Sequence, residues 1–469
     1  MTEAAARAQM GIIVVIVAIA TIGGFMFGYD SGVINGTQNG LQAAFDLGSL
    51  GLGVNVGAIL IGSAIGAFAA GRMADSIGRR GVMLIGAVLF FISAVLTGIA
   101  GSSAVFIVGR IIGGLGVGAA SVIAPVYISE VVPADRRGRL SAIQQVMIII
   151  GLTGSFLANF ALARIAGSST AEFWFGMAAW RWMFLVEALP ALVYFLALLM
   201  IPESPRYLVI KGRLDDARAV LARLFDAEQA DAKVREIERS LAQDHHRPRL
   251  SDLISGTTGR VRPIVWTGIG LAVFQQFVGI NVVFYYGATL WEAVGFSEDQ
   301  ALQTNVLSGS LSIAACVGAI ALVDRIGRKP LLEIGSIGMA LALATVAWAF
   351  STAVGTDGGG VELPGNNGVI ALVAANLYVI FFNLSWGPIM WVMLGEMFPN
   401  QIRGSGLAVA GFAQWIANAV VSVSFPSLVE WPGLAIAYVG YALFAAVSYV
   451  FVRAMVHETR GVELEDMRG

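Results

Sequence analysis

Charge, cysteine and histidine are all scarce in this chain. Of its 469 residues only 13% are Asp, Glu, Lys or Arg, whereas soluble domains carry about 25%. The single cysteine, Cys316, excludes an internal disulfide and any cysteine-based metal site. Two of the three histidines, His245 and His246, stand together in a polar stretch, where a solvated surface is the default reading. There is no metal-ligand cluster, phosphate loop or nucleophile constellation, so neither enzymatic activity nor a cofactor is expected. The net charge of −2 favours no class of partner, and no nucleic-acid partner is expected.

Apolar sequence is what the chain has, at 57% of residues. Runs of about 20 apolar residues, enough to cross a bilayer as a helix, recur along nearly the whole length. Twelve are predicted, at roughly 11–33, 51–74, 81–101, 103–127, 139–163, 181–201, 263–292, 302–323, 330–351, 368–394, 404–424 and 431–453. The first is long, soon reaches Asp30 and shows no small-residue cleavage site, so it reads as a retained helix. Basic residues gather in the even-numbered loops: Arg72, Arg79 and Arg80; Arg136, Arg137 and Arg139; Arg325, Arg328 and Lys329; and Arg403. The odd loops hold only Arg164 and Arg181, so the even loops and both termini are expected in the cytoplasm.

Residues 203–262 differ from their surroundings, with 12 Lys/Arg and 10 Asp/Glu and helical patterns near 213–224 and 230–243. This segment reads as a solvated cytoplasmic linker between two six-helix halves, 1–202 and 263–456, with a tail at 457–469. The halves repeat one another. Asp75-x-x-Gly78-Arg79-Arg80 matches Asp324-Arg325-x-Gly327-Arg328-Lys329, and Glu130-x-x-Pro133-x-x-x-Arg137-Gly138 matches Glu396-x-x-Pro399-x-x-x-Arg403-Gly404. Two motif pairs in corresponding loops point to duplication. Parallel six-span repeats place a substrate between the halves near the bilayer midplane, with access alternating by rocking. The fold class is therefore an all-α membrane protein of twelve transmembrane helices with a helical central loop.

Polar groups inside these spans mark the candidate site. Gln275, Gln276, Asn281, Tyr285 and Tyr286 crowd one segment apolar enough to cross a bilayer. Carboxamides and phenols both donate and accept hydrogen bonds, which suits a neutral polyhydroxy ligand and a polar cavity. Neighbouring glutamines point about 100° apart on a helix, so both reach one cavity only if it is broad or the helix bends, and Gly279 offers a bend. Asp30, Arg110 and Glu187 fall at similar depth in the outer third of the membrane. Burial there raises the cost of charge, so these groups are either a static ion pair or a proton carrier. Gly387-Pro388 interrupts the tenth span and reads as a hinge or a fixed kink.

The chain resembles the sugar porters of the major facilitator superfamily, and among them bacterial xylose/proton symporters and glucose facilitators. The matching residues are Phe27-Gly28-Tyr29-Asp30, the Asp75 and Asp324 loops, Gly109-Arg110, Pro202-Glu203-Ser204-Pro205-Arg206 and Gln275 to Asn281. Ser385-Trp386-Gly387-Pro388, Glu396 with Arg403-Gly404, and Gln414-Trp415 with Asn418 complete them. The resemblance implies sugar hydroxyls bonded by Gln145, Gln275, Gln276, Asn281, Trp391 and Gln414, with Trp391 and Trp415 offering apolar faces. It also favours Asp30 as proton carrier, since symporters of the family carry aspartate here and many facilitators asparagine. Some facilitators keep the aspartate. Three departures stand out: Ser312 where the family usually has asparagine, Leu152 where xylose symporters have glutamine, and His457-Glu458-Thr459-Arg460-Gly461 where a proline is usual.

The remaining charges, Asp75, Arg79, Arg80, Glu130, Arg137, Glu203, Arg206, Asp324, Arg328, Glu396 and Arg403, read as latches between the inner ends of the halves or as topology determinants. Together these features lead to an expected function: proton-coupled uptake of a neutral monosaccharide by a monomer in a bacterial inner membrane. An uncoupled facilitator is the alternative. A non-transporting sugar sensor fits less well, because such sensors usually carry long tails.

Overall fold

The computed structural model describes residues 3–132, 137–225, 227–243, 250–254, 259–355, 361–399 and 402–460. With no water in a bilayer core to satisfy backbone groups, a spanning chain must close its own hydrogen bonds, and this one does so almost entirely as helix. The amino-terminal half holds α1 (Glu3–Gly32), short α2 (Gln38–Phe45), α3 (Ser49–Ile77), α4 (Arg79–Gly98), α5 (Ser103–Val131), α6 (Arg137–Ala166), α7 (Ala179–Leu185) and α8 (Ala188–Leu198). Three helices follow between the halves, α9 (Pro205–Ile210), α10 (Leu214–Leu224) and α11 (Ala227–Gln243). The second half holds α12 (Pro263–Phe277), α13 (Ile280–Glu292), α14 (Glu298–Ile326), α15 (Arg328–Ser351), α16 (Asn367–Leu384), α17 (Trp386–Met397), α18 (Arg403–Leu428) and α19 (Leu434–Met455). A two-residue ribbon, β1 (Val354–Gly355) antiparallel to β2 (Val361–Glu362), follows α15.

Eleven helical stretches among the described residues are long and apolar enough to cross a membrane. The last, Arg403–Met455, has 53 residues, about 80 Å of helix against a core of about 30 Å. It is two crossings: helical geometry fails at Trp431 (φ −156°, ψ 122°) and Gly433 has φ 107°. The total is twelve, six in each half.

Three spans are broken. Pro190 lacks the N–H that would bond Val186, whose carbonyl takes the Leu189 N–H at 3.1 Å instead, and α7 gives way to α8 around Glu187. Gly279 adopts φ 85°, ψ 19°, a left-handed joint between α12 and α13. The tenth span breaks at Ser385 (φ −133°, ψ −91°) rather than at Gly387-Pro388. Pro388 lies in the first turn of α17, where an N–H has no helical acceptor and proline is tolerated.

Glycine lets helices meet. Gly62 and Gly66 of α3 face Gly114 and Gly118 of α5, and a Cβ at any of them would overlap a backbone carbonyl of the other helix. Between the halves, α3 meets α18 at Gly53 and Val423, and α6 meets α14 at Gly309 and Thr153. The helices of the central segment form a small core of their own from Leu208, Val209, Ala217, Leu221, Ala230 and Val234. Gly114→Leu should cost about 1–3 kcal/mol or more through overpacking. Loss of a monodisperse protein in detergent would report it, whereas Gly440→Leu, with open space around the position, should behave as wild type.

Candidate functional site

Asp30 stands near the end of α1, Arg110 in the second turn of α5 and Glu187 at the α7/α8 break, and all three are fully buried. Arg110 Nη1 pairs with Asp30 Oδ1 and also donates to the Asp30 backbone carbonyl at 2.9 Å. Glu187 lies within electrostatic reach of both. Space for the pair comes from Gly113, where a Cβ would run into Asp30 Oδ2 and Ser93 Oγ. The guanidinium also lies 5.8 Å from the Phe184 ring centre. Asp30 Oδ2, Arg110 Nε and Nη2, and both Glu187 oxygens are buried without a hydrogen-bond partner among the described residues.

The carboxamides gather around the Gly279 joint. Gln276 donates to Gln275 Oε1 at 3.0 Å, Gln414 of α18 donates to the same oxygen at 3.3 Å, and Asn281 donates to Gln276 Oε1. Gln275 donates in turn to the carbonyls of Trp386 and Gly387, at 3.1 and 3.3 Å. The α12/α13 joint is thereby tied to the α16/α17 break. Trp415 is buried with its ring 6.1 Å from that of Phe27, Trp391 is 39% exposed, and Gln145 is half-buried on α6. Ser312 bonds the Ser308 carbonyl and accepts from Asn383 of α16 at 3.2 Å, while Leu152 packs on α1 at Gly28 and Gly32.

One face of α13 runs on from this cluster. Tyr285 lies beside Ser31 and Asn418, next in sequence to Asp30 and one turn past Gln414. Further along, α13 meets the amino-terminal half in a polar seam. Asn35 donates to the Phe284 carbonyl at 2.8 Å and accepts from the Ala288 N–H at 2.9 Å and Asn305 at 2.7 Å. Gln38 donates to the Tyr285 carbonyl and accepts from Thr289 at 2.6 Å. Asn39 donates to Glu292 at 2.8 Å, and the Ser169 N–H to Glu298 at 3.0 Å. This seam joins the halves at the end away from the arginine-rich loops.

At the arginine-rich end, the described side chains form two matching clamps, each within one half. Arg79 holds Glu130 through Nε and Nη2 at 3.0 and 2.9 Å and lies 3.6 Å from Asp75. Arg328 holds Glu396 in the same way at 3.1 and 3.0 Å and Asp324 at 3.1 Å. Glu203 accepts the Arg79 and Arg80 N–H groups, and Glu458 those of Arg328 and Lys329. Ser204 donates to Glu130 and Thr459 to Glu396. Single glycines, Gly78 (φ 89°) and Gly327 (φ 104°), turn the chain into each clamp. Arg80 donates to the carbonyls of Leu198 and Leu199, Arg403 to that of Phe398, and Arg206 stands in the first turn of α9. Arg137 begins α6, but its side chain lies outside the described residues, as does Pro133.

A family model described as "Sugar (and other) transporter" matches residues 16–468. The chain belongs to this sugar transporter family. A glucose transport protein of Synechocystis sp. is 48% identical over 461 residues, covering 98% of each chain. The D-xylose-proton symporter of Escherichia coli K12 is 37% identical over 484 residues, covering 96% of this chain and 94% of that one. An inward open structure of the xylose transporter XylE from E. coli superposes with a TM-score of 0.83 at 35% identity, covering 97% and 99% of the two chains. XylE bound to 6-bromo-6-deoxy-D-glucose, described as a major facilitator superfamily proton:xylose symporter, gives a TM-score of 0.79 at 37% identity, covering 98% and 99%. The protein is thus an integral membrane transporter with the twelve-helix major facilitator fold, and its family consists of transporters rather than enzymes.

Within that family fold, sequence reasoning overlooked the seam residues Asn35, Gln38 and Asn39, and the third arm of the second clamp. Glu203-Ser204 and Glu458-Thr459 share only a carboxylate followed by a hydroxyl, too short a match to register as a repeat. Partial burial alone would raise the Glu458 carboxyl, but N–H donors of Arg460, Arg328, Lys329 and Thr459 outweigh it and hold the group below the usual glutamate range. Stability from a depressed carboxyl is present above its unfolded value, about 4.3, and is lost as pH falls through the folded value. Glu458→Gln should therefore cost about 1 kcal/mol at pH 7. The difference in melting temperature from wild type should shrink on acidification below that range.

Proposed function

We propose that the protein takes up a neutral monosaccharide, a pentose or hexose such as xylose or glucose, together with a proton, by alternating access. One observation carries this reading. The buried Asp30–Arg110 pair adjoins Ser31, which faces Tyr285 on the helix that begins at the carboxamide cluster. The charge state of Asp30 and occupancy of the carboxamides thus act on one contact between the halves. When Asp30 takes up a proton, Arg110 loses its counter-charge and the pair is free to rearrange. Sugar hydroxyls would replace the bonds that Gln275, Gln276, Asn281 and Gln414 now make to one another, with Gln145, Tyr285, Trp391 and Trp415 completing the site. Ligands shift such an equilibrium only by their differential affinity for its two states. The names of the relatives, glucose transport protein and D-xylose-proton symporter, support the sugar class, and the second alone supports the coupling.

The arginine-rich loops support a cytoplasmic placement for that end and for both termini in a bacterial plasma membrane. The polar seam is then external and closed, so the protein faces inward. The two clamps stiffen the inner end of each half, with 203–262 as the tether, and Ser385 with Gly387 and Pro388 gives the tenth span its hinge. We take the chain to act as a monomer. An uncoupled facilitator is the second reading, in which the buried Asp30–Arg110 pair is a fixed ion pair between α1 and α5.

Proteoliposomes with an imposed inward proton gradient test the coupling. Uphill uptake of labelled xylose or glucose should be present in wild type and lost in Asp30→Asn, with sugar counterflow retained. Uptake that only equilibrates in both proteins would make this a facilitator. Separately, Gln276→Ala should weaken sugar binding by about tenfold or more, the worth of one or two lost hydrogen bonds. An unchanged Kd would remove Gln276 from the site.

A further inference from the structure

We propose that the transported proton leaves Asp30 and Glu187 through the interior of the amino-terminal half, by way of Tyr194 and Gln144, toward the arginine-rich end. The proposal deepens the proton-coupled reading above and rests on it.

Buried polar atoms without a hydrogen-bond partner are rare and call for an explanation. In this half several of them line up, apart from Asn159 Oδ1 and Ser169 Oγ nearer the seam. Besides the free oxygens of Asp30 and Glu187, the hydroxyls of Tyr29 and Tyr194 and both amide atoms of Gln144 are buried with no partner among the described residues. Tyr194 is 1% and Gln144 5% exposed. Neither has a place in the sugar site or the ion pair.

Their positions follow helical spacing. Tyr194 lies seven residues after Glu187 along α8, two turns or about 10 Å further on the same face. Its hydroxyl rests on α1 at Gly23, where a Cβ would come within 2.6 Å. Gly23 is itself seven residues before Asp30, again two turns on one face. The phenol therefore sits below both carboxylates in one groove between α1 and α8, displaced toward the arginine-rich end, where α8 runs on to Glu203. At the next residue of α1, Gly24, a Cβ would come within 2.8 Å of the Gln144 amide nitrogen. Two adjacent glycines thus admit a phenol from α8 and a carboxamide from α6 to the same stretch of α1. The Tyr29 ring, 6.0 Å from that of Phe25, leans the same way.

The chemistry suits a relay. A phenol accepts a hydrogen bond at its oxygen while donating its own proton, and a carboxamide orients water from both ends. The carboxyl O–H of Asp30 or Glu187 breaks and its proton passes to water. Tyr194 takes a proton on one side and releases one on the other, ending unchanged. Water held by Gln144 delivers the proton to the aqueous side, and the carboxylate remains to pair with Arg110. The carboxamide cluster belongs to the other half, whereas this path lies inside the amino-terminal half.

Tyr194→Phe removes one oxygen and little volume. The rate of sugar accumulation driven by a proton gradient should fall about a hundredfold, the lower range for loss of a proton-transfer group. The solvent deuterium isotope effect on that rate should rise, while sugar counterflow, which needs no net proton release, should be unchanged. If the variant accumulates sugar as wild type does, the path is overturned and the coupling stands. If wild type itself shows no proton-driven accumulation, both fall. If the variant also loses counterflow, Gln144→Met decides: slowed accumulation with intact counterflow upholds the path, and unchanged accumulation overturns it.

Discussion

The guanidinium of Arg110 is a permanent charge with no exposure to solvent. Such a group persists in an apolar interior only if a counter-charge meets it, because an unpaired buried ion costs several kcal/mol. Asp30 is that counter-charge, and the demand shapes its surroundings. Arg110 stands on α5, the helix locked to α3 by interleaved glycines, so the cation is fixed in position. The anion stands near the end of α1, the element that reaches across to the second half. Under the proposed function, a rigid positive site facing a carboxylate on the element that touches the other half is an arrangement in which titration would become movement.

On the same reading, α13 would receive that movement. Asn281, Tyr285, Thr289 and Glu292 recur at intervals of three and four residues and so share one helical face. That face touches, in order, the carboxamide cluster, the neighbourhood of Asp30 and the seam. Binding, charge and closure meet on one short helix. The two clamps at the other end differ in kind. Each ties three loops of one half to one another, which makes the halves stiff bodies rather than a joined pair.

Much of this was legible in the sequence, and the reasons are physical. Spans are legible because a bilayer demands long apolar runs, and duplication because charged loop motifs stand out against them. The bend between Gln276 and Asn281 was readable from Gly279, the residue best suited to φ 85°. Other features left weaker traces. Proline marks the tenth-span break three residues late, because it settles in the turn after the distortion at Ser385. The seam residues sit in what reads as a loop between the first two spans, and their partners are largely backbone carbonyls and N–H groups, which no side-chain pattern reveals. Tyr194 is a single polar residue in an apolar run and Gln144 stands beside Gln145, and only the positions of Gly23 and Gly24 give the two a common place.

The joint at Gly279 makes α13 a lever. From there to Glu292 the helix has 13 residues, an arm of about 20 Å. A swing of about 10° at the joint would carry the far end about 3.5 Å, more than the reach of a hydrogen bond. Asn281, beside the pivot, would scarcely move. On the proposed reading, small adjustments around a bound sugar would thereby be magnified at the seam.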